Sequence, residues 1–373
     1  MKKYIFLFLF LFALLISCSE EEAIEEAPKN VVEVGNPTIE KPQSNTPFIP
    51  SPPKEETPPE PDPNATERSL TTGLPCTPEA KVRRPIAVMY NNNKVSFPQD
   101  AISNADIVYE CDAEGGVTRL MAIFSDWENL SSIGSVRSAR DYFISISQSH
   151  GAIFVNAGGS PKAYEKLKGE RVDYVDGVNM YNIPTNTFYR DSGRIKNNGY
   201  EHSMMTDGSR LMTAVKKLGY ALKYRDGITT PYSFNQEFKE NEGKTAVSIT
   251  LPHSSYITVR FQWDAASKKY LKYSFDEPHT DGLNSKQLAF ENVVVLFVGE
   301  QVLDTEGRLK LDLTSGGSGY YISGGKYTEI KWTRKGDNAP FVLTENGEEI
   351  SLNPGKTHIT LFNKNQSKKV TIK

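Results

Sequence analysis

Residues able to bind anions or move protons crowd one stretch of this chain. Between positions 106 and 141 lie Asp106, Glu110, Asp112, Glu114, Arg119, Arg137, Arg140 and Asp141. Arg137-Ser138-Ala139-Arg140 precedes apolar positions Phe143, Ile144 and Ile146, which predict a helix capped by Ser138 and running to about Ser149. A helix start presents free N–H groups and a partial positive charge. Two guanidiniums there suit a carboxylate or phosphate, which the planar fork grips at two points. The competing reading is internal: Arg137 and Arg140 pair with Glu110, Glu114 or Asp141 inside the fold. Further on, Phe188-Tyr189-Arg190-Asp191-Ser192-Gly193-Arg194 and Tyr200-Glu201-His202-Ser203 read as a long loop with two more arginines and a histidine. Gly158-Gly159 turns the chain, and Ser160-Pro161 opens another helix, with Ser160 as an N-cap rather than a nucleophile. The candidate anion-binding set is therefore Arg119, Arg137, Arg140, Arg190, Arg194, Gly158, Gly159 and Ser160.

A catalytic use stays open beside the binding one. Glu110 and Glu114 would be a carboxylate pair, His202 a proton carrier, and Asp106 a further acid, acting on a phosphate-linked or glycosidic polymer. Along a straight strand the two glutamates lie on one face, ~13 Å apart. Glycosidase carboxylates stand ~5–9.5 Å apart. Phosphoryl chemistry would ask for a divalent metal near Asp106 or Glu110; no other cofactor is implied. The sequence holds neither a Walker loop nor a Gly-x-Ser-x-Gly elbow, and its five histidines lack metal-ligand spacing. Gly316-Gly317-Ser318-Gly319 sits among strand signals and reads as a turn or bulge. Missing nucleophile and metal motifs favour binding over catalysis.

The elements around these residues divide the chain in four. Residues 1–18 form a signal peptide: Met1-Lys2-Lys3, an apolar run from Tyr4 to Ile16, then Leu15-Ile16-Ser17-Cys18. That run is shorter than the roughly 20 residues a membrane span needs. The ending resembles a lipobox, which implies a diacylated Cys18. Two acyl chains, at ~0.8 kcal/mol per buried methylene, hold a protein to a membrane. Residues 19–69 hold half of the 22 prolines, with 12 acidic and 4 basic side chains. This predicts a disordered Pro/Glu-rich tether with ends ~40 Å apart. Without signal and tether, the net charge of −3 becomes about +3, too mild to argue for nucleic acid. Residues 70–227 mix strands (Pro85–Tyr90, Asp106–Cys111, Val117–Phe124, Ala152–Val155) with helices, the last starting at Thr206 or Asp207 and ending before Gly219. They predict a mixed α/β domain. Residues 228–373 are almost all strand signals, a β-rich barrel or sandwich. Whether Cys76 and Cys111 pair stays open.

The pattern resembles the YerB-like bacterial lipoproteins, an N-terminal domain of unknown function followed by a characteristic C-terminal one. The resemblance rests on Thr72-Gly73-Leu74-Pro75, Arg84-Pro85-Ile86-Ala87-Val88-Met89, Ala105-Asp106-Ile107-Val108-Tyr109-Glu110, Glu114-Gly115-Gly116-Val117-Thr118-Arg119, Ile133-Gly134-Ser135-Val136-Arg137-Ser138-Ala139-Arg140 and Ala157-Gly158-Gly159-Ser160-Pro161. In the second half it rests on Gly319-Tyr320-Tyr321, Asn338-Ala339-Pro340 and Leu352-Asn353-Pro354-Gly355-Lys356-Thr357. It implies an extracytoplasmic lipoprotein anchored to a bacterial membrane, with two fused domains and no established reaction. The family pattern has His where this chain has Asn156, and His-Asn where it has His202-Ser203, so a two-histidine mechanism does not carry over. A likeness of site chemistry alone links the arginines and acids to the LytR-CpsA-Psr enzymes, which move wall glycopolymers from lipid carriers. The expected ligand is an anionic wall polymer, a precursor or an envelope protein.

Overall fold

The computed structural model describes residues 64–224 and 231–373. Cys18, the signal peptide and the tether up to residue 63 lie outside the described residues, as does Gly227. Glu67 and Arg68, assigned to the tether from composition, pair as a short strand with Cys76 and Pro75. Arg68 holds the Gly73 carbonyl, and Glu67 pairs with Lys81; these local partners outweigh the polar composition.

The described chain is strand-rich with few helices. Its spine is one thirteen-stranded sheet. From the first half come β1 (Ile86–Asn91), β2 (Ile107–Asp112), β3 (Thr118–Phe124), β4 (Ile153–Asn156) and β5 (Tyr174–Asp176). The helices there are α1 (Asp141–Ser149), α2 (Pro161–Gly169), α3 (Ser192–Asn198) and α4 (Gly208–Lys217). From the second half come β6 (Ser248–Pro252), β7 (Thr258–Asp264), β8 (Lys269–Ser274), β9 (Asn292–Val302), β10 (Gly317–Ser323), β11 (Lys326–Thr333), β12 (Val342–Glu345) and β13 (Thr357–Asn363). Ten of its strands run β12-β11-β10-β9-β13-β2-β3-β1-β4-β5; Glu348–Glu349 adds to β12, Lys244–Thr245 to β11 and Leu309–Asp312 to β9. The two halves thus share a sheet: β13 lies parallel to β2, with His358 opposite Val108 and Thr360 opposite Glu110.

A second, six-stranded sheet contains β6, β7 and β8. It packs over one face of the spine, where Ile249, Val259, Phe261 and Tyr270 meet Val108, Leu120, Val293 and Val295. The opposite face buries Phe143, Ile144 and Ile146 of α1 against Tyr109, Met121, Phe154 and Leu361. Burial on both faces explains why β1 and most of β9 are unbroken apolar runs. Side chains alternate along a strand, so even positions 108, 110 and 112 face the second sheet and odd positions 109 and 111 face the helices. This alternation separates the candidate residues.

Ser138 does not cap α1. The helix begins at Asp141 with Arg140 at the N-cap and no side-chain cap bond. Ser138 instead donates to the Ala157 carbonyl, and its own carbonyl accepts from Arg119. Ser160 caps α2 through Ala163 N (3.2 Å), and Asp207 caps α4 through Arg210 N (2.8 Å). Cys76 and Cys111 are both free thiols.

Candidate functional site

Strands β1, β2, β4, β5, β9 and β13 point the same way, with β3 antiparallel between β1 and β2. Their carboxyl ends form one edge, the usual place for a ligand crevice in such sheets. Arg119 starts the site. It sits directly across from Asn91 of β1 and Cys111 of β2. Alternation turns its side chain to the helix face, where it meets Glu114 (3.0 Å) and the Ser138 carbonyl (3.0 Å). Arg140 grips both oxygens of the same carboxylate, with Nε at 3.0 Å from Oε2. Burial alone would raise the Glu114 pKa, but Arg119 and Arg140 outweigh it and hold the carboxyl at about 2. Burial and the neighbouring Arg140 charge bring Arg119 down to about 10.

Arg137 is placed differently. Its side chain is 25% exposed and pairs with Glu201 at 2.9 Å, whose own side chain is 70% exposed. Arg190 lies 3.9 Å over the Tyr200 ring and bonds the Tyr200 carbonyl at 2.5 Å. His202 Nδ1 lies 2.5 Å from Asn91 Nδ2, and burial followed by the Arg137 charge lowers its pKa. Arg119, Arg137, Arg140, Arg190 and His202 therefore gather at one edge, in two groups, one centred on Glu114 and one on Glu201. Beside Arg140 opens a cleft of about 440 Å³, lined by Ser160 and Lys162 at the start of α2, by Arg308 from the second half, and by the acids Asp141, Glu165 and Asp304, the last paired with Arg308. Gly158 adopts φ +80°, which places its N–H on Asp176 at 2.8 Å. Gly158, Gly159 and Ser160 thus build the turn that joins β4 to α2.

The other candidates stand apart. Arg194 is held by Asp100 (2.6 Å) and the Pro98 carbonyl (2.7 Å), away from the Glu114 group. Asp106 accepts from Thr71 (2.7 Å) and Ser125 N (2.9 Å), and burial raises its pKa. Glu110 is fully buried on the opposite face of the sheet from Arg119. Its Oε1 accepts from Asn92 (2.9 Å) and Thr118 (2.6 Å), while Oε2 lies 3.1 Å from Lys272 Nζ and 3.2 Å from His358 Nε2. Burial pushes its pKa up, but Lys272 and then His358 overcome this and keep it ionised. Lys272 in turn contacts Ser274 (2.9 Å) and His279 (3.1 Å). Glu110 and Glu114 lie on different sides of the sheet and do not form a pair. Among the described residues, no three His, Cys, Asp or Glu side chains gather as a metal-ligand set.

Sequence reasoning gave Glu201 no role, although it adjoins His202. Lys272 and His358 carry no local signal, because their partner Glu110 is remote along the chain. Glu300 was also unseen. It accepts from Asn363 at 2.7 Å, and burial followed by the nearby Asp112 raises its pKa to about 8.

Fold and edge together define a strand-rich protein of two fused halves with a crevice of mixed charge at its strand ends. Residues 71–221 match the N-terminal domain of a protein of unknown function (DUF3048), and residues 247–359 match its C-terminal domain. The chain belongs to this YerB-like family. It is 28% identical over 356 residues to a Bacillus subtilis (strain 168) protein named "Putative lipoprotein YerB", covering 94% of this chain and 92% of that one. The crystal structure of YerB from Bacillus subtilis superposes with a TM-score of 0.72 at 28% identity, covering 82% of this chain and 99% of that chain. No helix among the described residues is long and apolar enough to cross a membrane.

Proposed function

We propose that this chain is an extracytoplasmic lipoprotein, held to a bacterial membrane by acyl chains on Cys18, whose arginine edge binds an anionic ligand of the cell envelope. The lipobox-like Leu15-Ile16-Ser17-Cys18 and the lipoprotein name of the Bacillus relative support the anchor. One observation carries the binding: Arg140 stands at the start of α1, beside the start of α2 and an open cleft of about 440 Å³, with the part-exposed Arg137 on the extended strip just before it. Helix starts and guanidiniums both favour negative charge. Glu114 and Glu201 already occupy these arginines as internal carboxylates, so an incoming anion must compete with them. Glu201 is the weaker competitor, because water screens an exposed pair.

Glu110 does not serve a catalytic reading. It is sealed between two sheets, with Asn92 and Thr118 donating to one oxygen and the Lys272 ammonium 3.1 Å from the other. The binding test is retention of the full-length protein on purified cell wall. Arg137→Gln should cut retention at least fivefold with the fold intact; unchanged retention contradicts the reading. For the anchor, Cys18→Ser should abolish incorporation of labelled palmitate, and continued labelling contradicts it.

A further inference from the structure

Three side-chain atoms at the same edge have no hydrogen-bond partner among the described residues: Ser135 Oγ, Arg137 Nε and Asn156 Oδ1. Ser135 and Asn156 are completely buried. Proteins seldom strip a polar atom of water without giving it a partner.

The backbone sets the three side by side. Residues 135–139 run as an extended strip wedged between the ends of β1 and β4. Asn91 N donates to the Ser135 carbonyl (3.2 Å), Arg137 N to the Met89 carbonyl (2.9 Å) and Ala157 N to the Arg137 carbonyl (3.0 Å). Val136 and Val155 join the core between the sheets, whereas Met89 and Ala139 join the core beneath the helices. By alternation, Ser135, Arg137 and Asn156 all project toward the helix side. Asn91, which holds His202, stands on that side too.

We propose that Ser135, Arg137 and Asn156 form the inner end of the ligand site and take an oxyanion that carries a hydroxyl or amino group close to its charge. This rests on the anion-binding reading above and adds what the ligand must carry besides charge. The Ser135 hydroxyl and Arg137 Nε–H donate to the oxyanion. The Asn156 amide is oriented by its Nδ2, one N–H of which donates to the Gly158 carbonyl at 2.8 Å. Its free Oδ1 can only accept, so it selects a ligand with a donor. Glu201, on the outer nitrogens of Arg137, covers this end and yields to the incoming oxyanion.

The test is calorimetric titration of the full-length protein in detergent with two matched pairs: sn-glycerol 3-phosphate against propyl phosphate, and lactate against propionate. The expected result is at least a tenfold preference for the hydroxylated member of one pair, which also names the oxyanion as phosphate or carboxylate. Asn156→Leu should shrink that preference below twofold and leave the affinity for the plain anion within threefold. Should that variant fail to fold, Ser135→Ala carries the test by weakening both members of the pair about equally. Binding of both members without preference in the wild-type protein, or Ser135→Ala binding as wild type does, overturns this inference alone. Failure of all four compounds to bind overturns the anion reading beneath it as well.

Discussion

Glu110 and Arg137 come from the same charged stretch, yet the fold gives them opposite surroundings. Glu110 faces the gap between the two sheets, with Lys272, His358, Asn92 and Thr118 around it and no exposed atom. Arg137 faces the helix side at the strand ends, part-exposed and paired with a carboxylate that is mostly in solvent. The Glu110 region couples the two halves: Lys272 comes from β8 and His358 from β13, while Glu110 comes from β2. A buried charge must stay matched, and an exposed one is free to exchange partners. Chemistry dense in sequence thus splits into a sealed structural half and a solvent-facing half, the one proposed to bind.

The largest effect should come from breaking the sealed network. Lys272→Met removes the cation that offsets the burial of Glu110, and should cost about 3–5 kcal/mol in denaturant unfolding. Adding Glu110→Gln to that variant should restore part of the loss, since the unmatched charge is then gone. A Lys272→Met protein as stable as wild type would deny the network its coupling role.

Next comes Glu114, which belongs to the edge but is held like a core residue. Its carboxyl sits at about 2 against an ordinary 4.5. A depressed carboxyl contributes fully above 4.5 and loses its contribution as pH falls toward 2, so Glu114→Gln should cost about 3 kcal/mol at pH 7. The gap to wild type should narrow below pH 4. A constant gap from pH 7 to 2.5 would show that packing, not charge, holds the two arginines.

Glu300 inverts that sign. Its pKa rises to about 8 from 4.5, through burial and the Asp112 carboxylate. A raised carboxyl stabilises the fold below 4.5 and loses that contribution as pH climbs through 8. Glu300→Gln should therefore be more stable than wild type by about 1–2 kcal/mol at pH 9 and similar to it at pH 5. Equal melting temperatures at both values would contradict this.

The smallest stability effect falls on the binding side. Arg137→Gln should change stability by less than about 1 kcal/mol, while Glu201→Gln should raise retention on cell wall severalfold by removing the internal competitor. Lower retention of that variant would mean that Glu201 positions Arg137 rather than competing for it.

Much of the framework was legible in the sequence, because apolar runs and turn residues report locally. Strands at 86–91, 107–112, 118–124 and 153–156, and the caps at Ser160 and Asp207, lie close to where pattern places them. Ser138 misled because a serine before an apolar run looks like a cap, whereas its backbone is drawn into the strip between β1 and β4. The arginines of the edge were visible, but their division between Glu114 and Glu201 was not, since it depends on which face each side chain takes. Asp106 and Glu110 drew attention as acids near arginines. Alternation along β2 turns Glu110 away from Arg119, and only the tertiary structure supplies Lys272 and His358. That one sheet serves both halves was equally hidden, because strand pairing between β2 and β13 leaves no local trace.

The most direct measurement is an NMR titration of arginine-¹⁵N-labelled protein with solubilised anionic wall polymer, following the side-chain Nε–H signals. The account predicts that Arg137 and Arg190 shift first and that Arg194, locked on Asp100, stays still. Shifts confined to Arg194, or no arginine shift at saturating polymer, would contradict it.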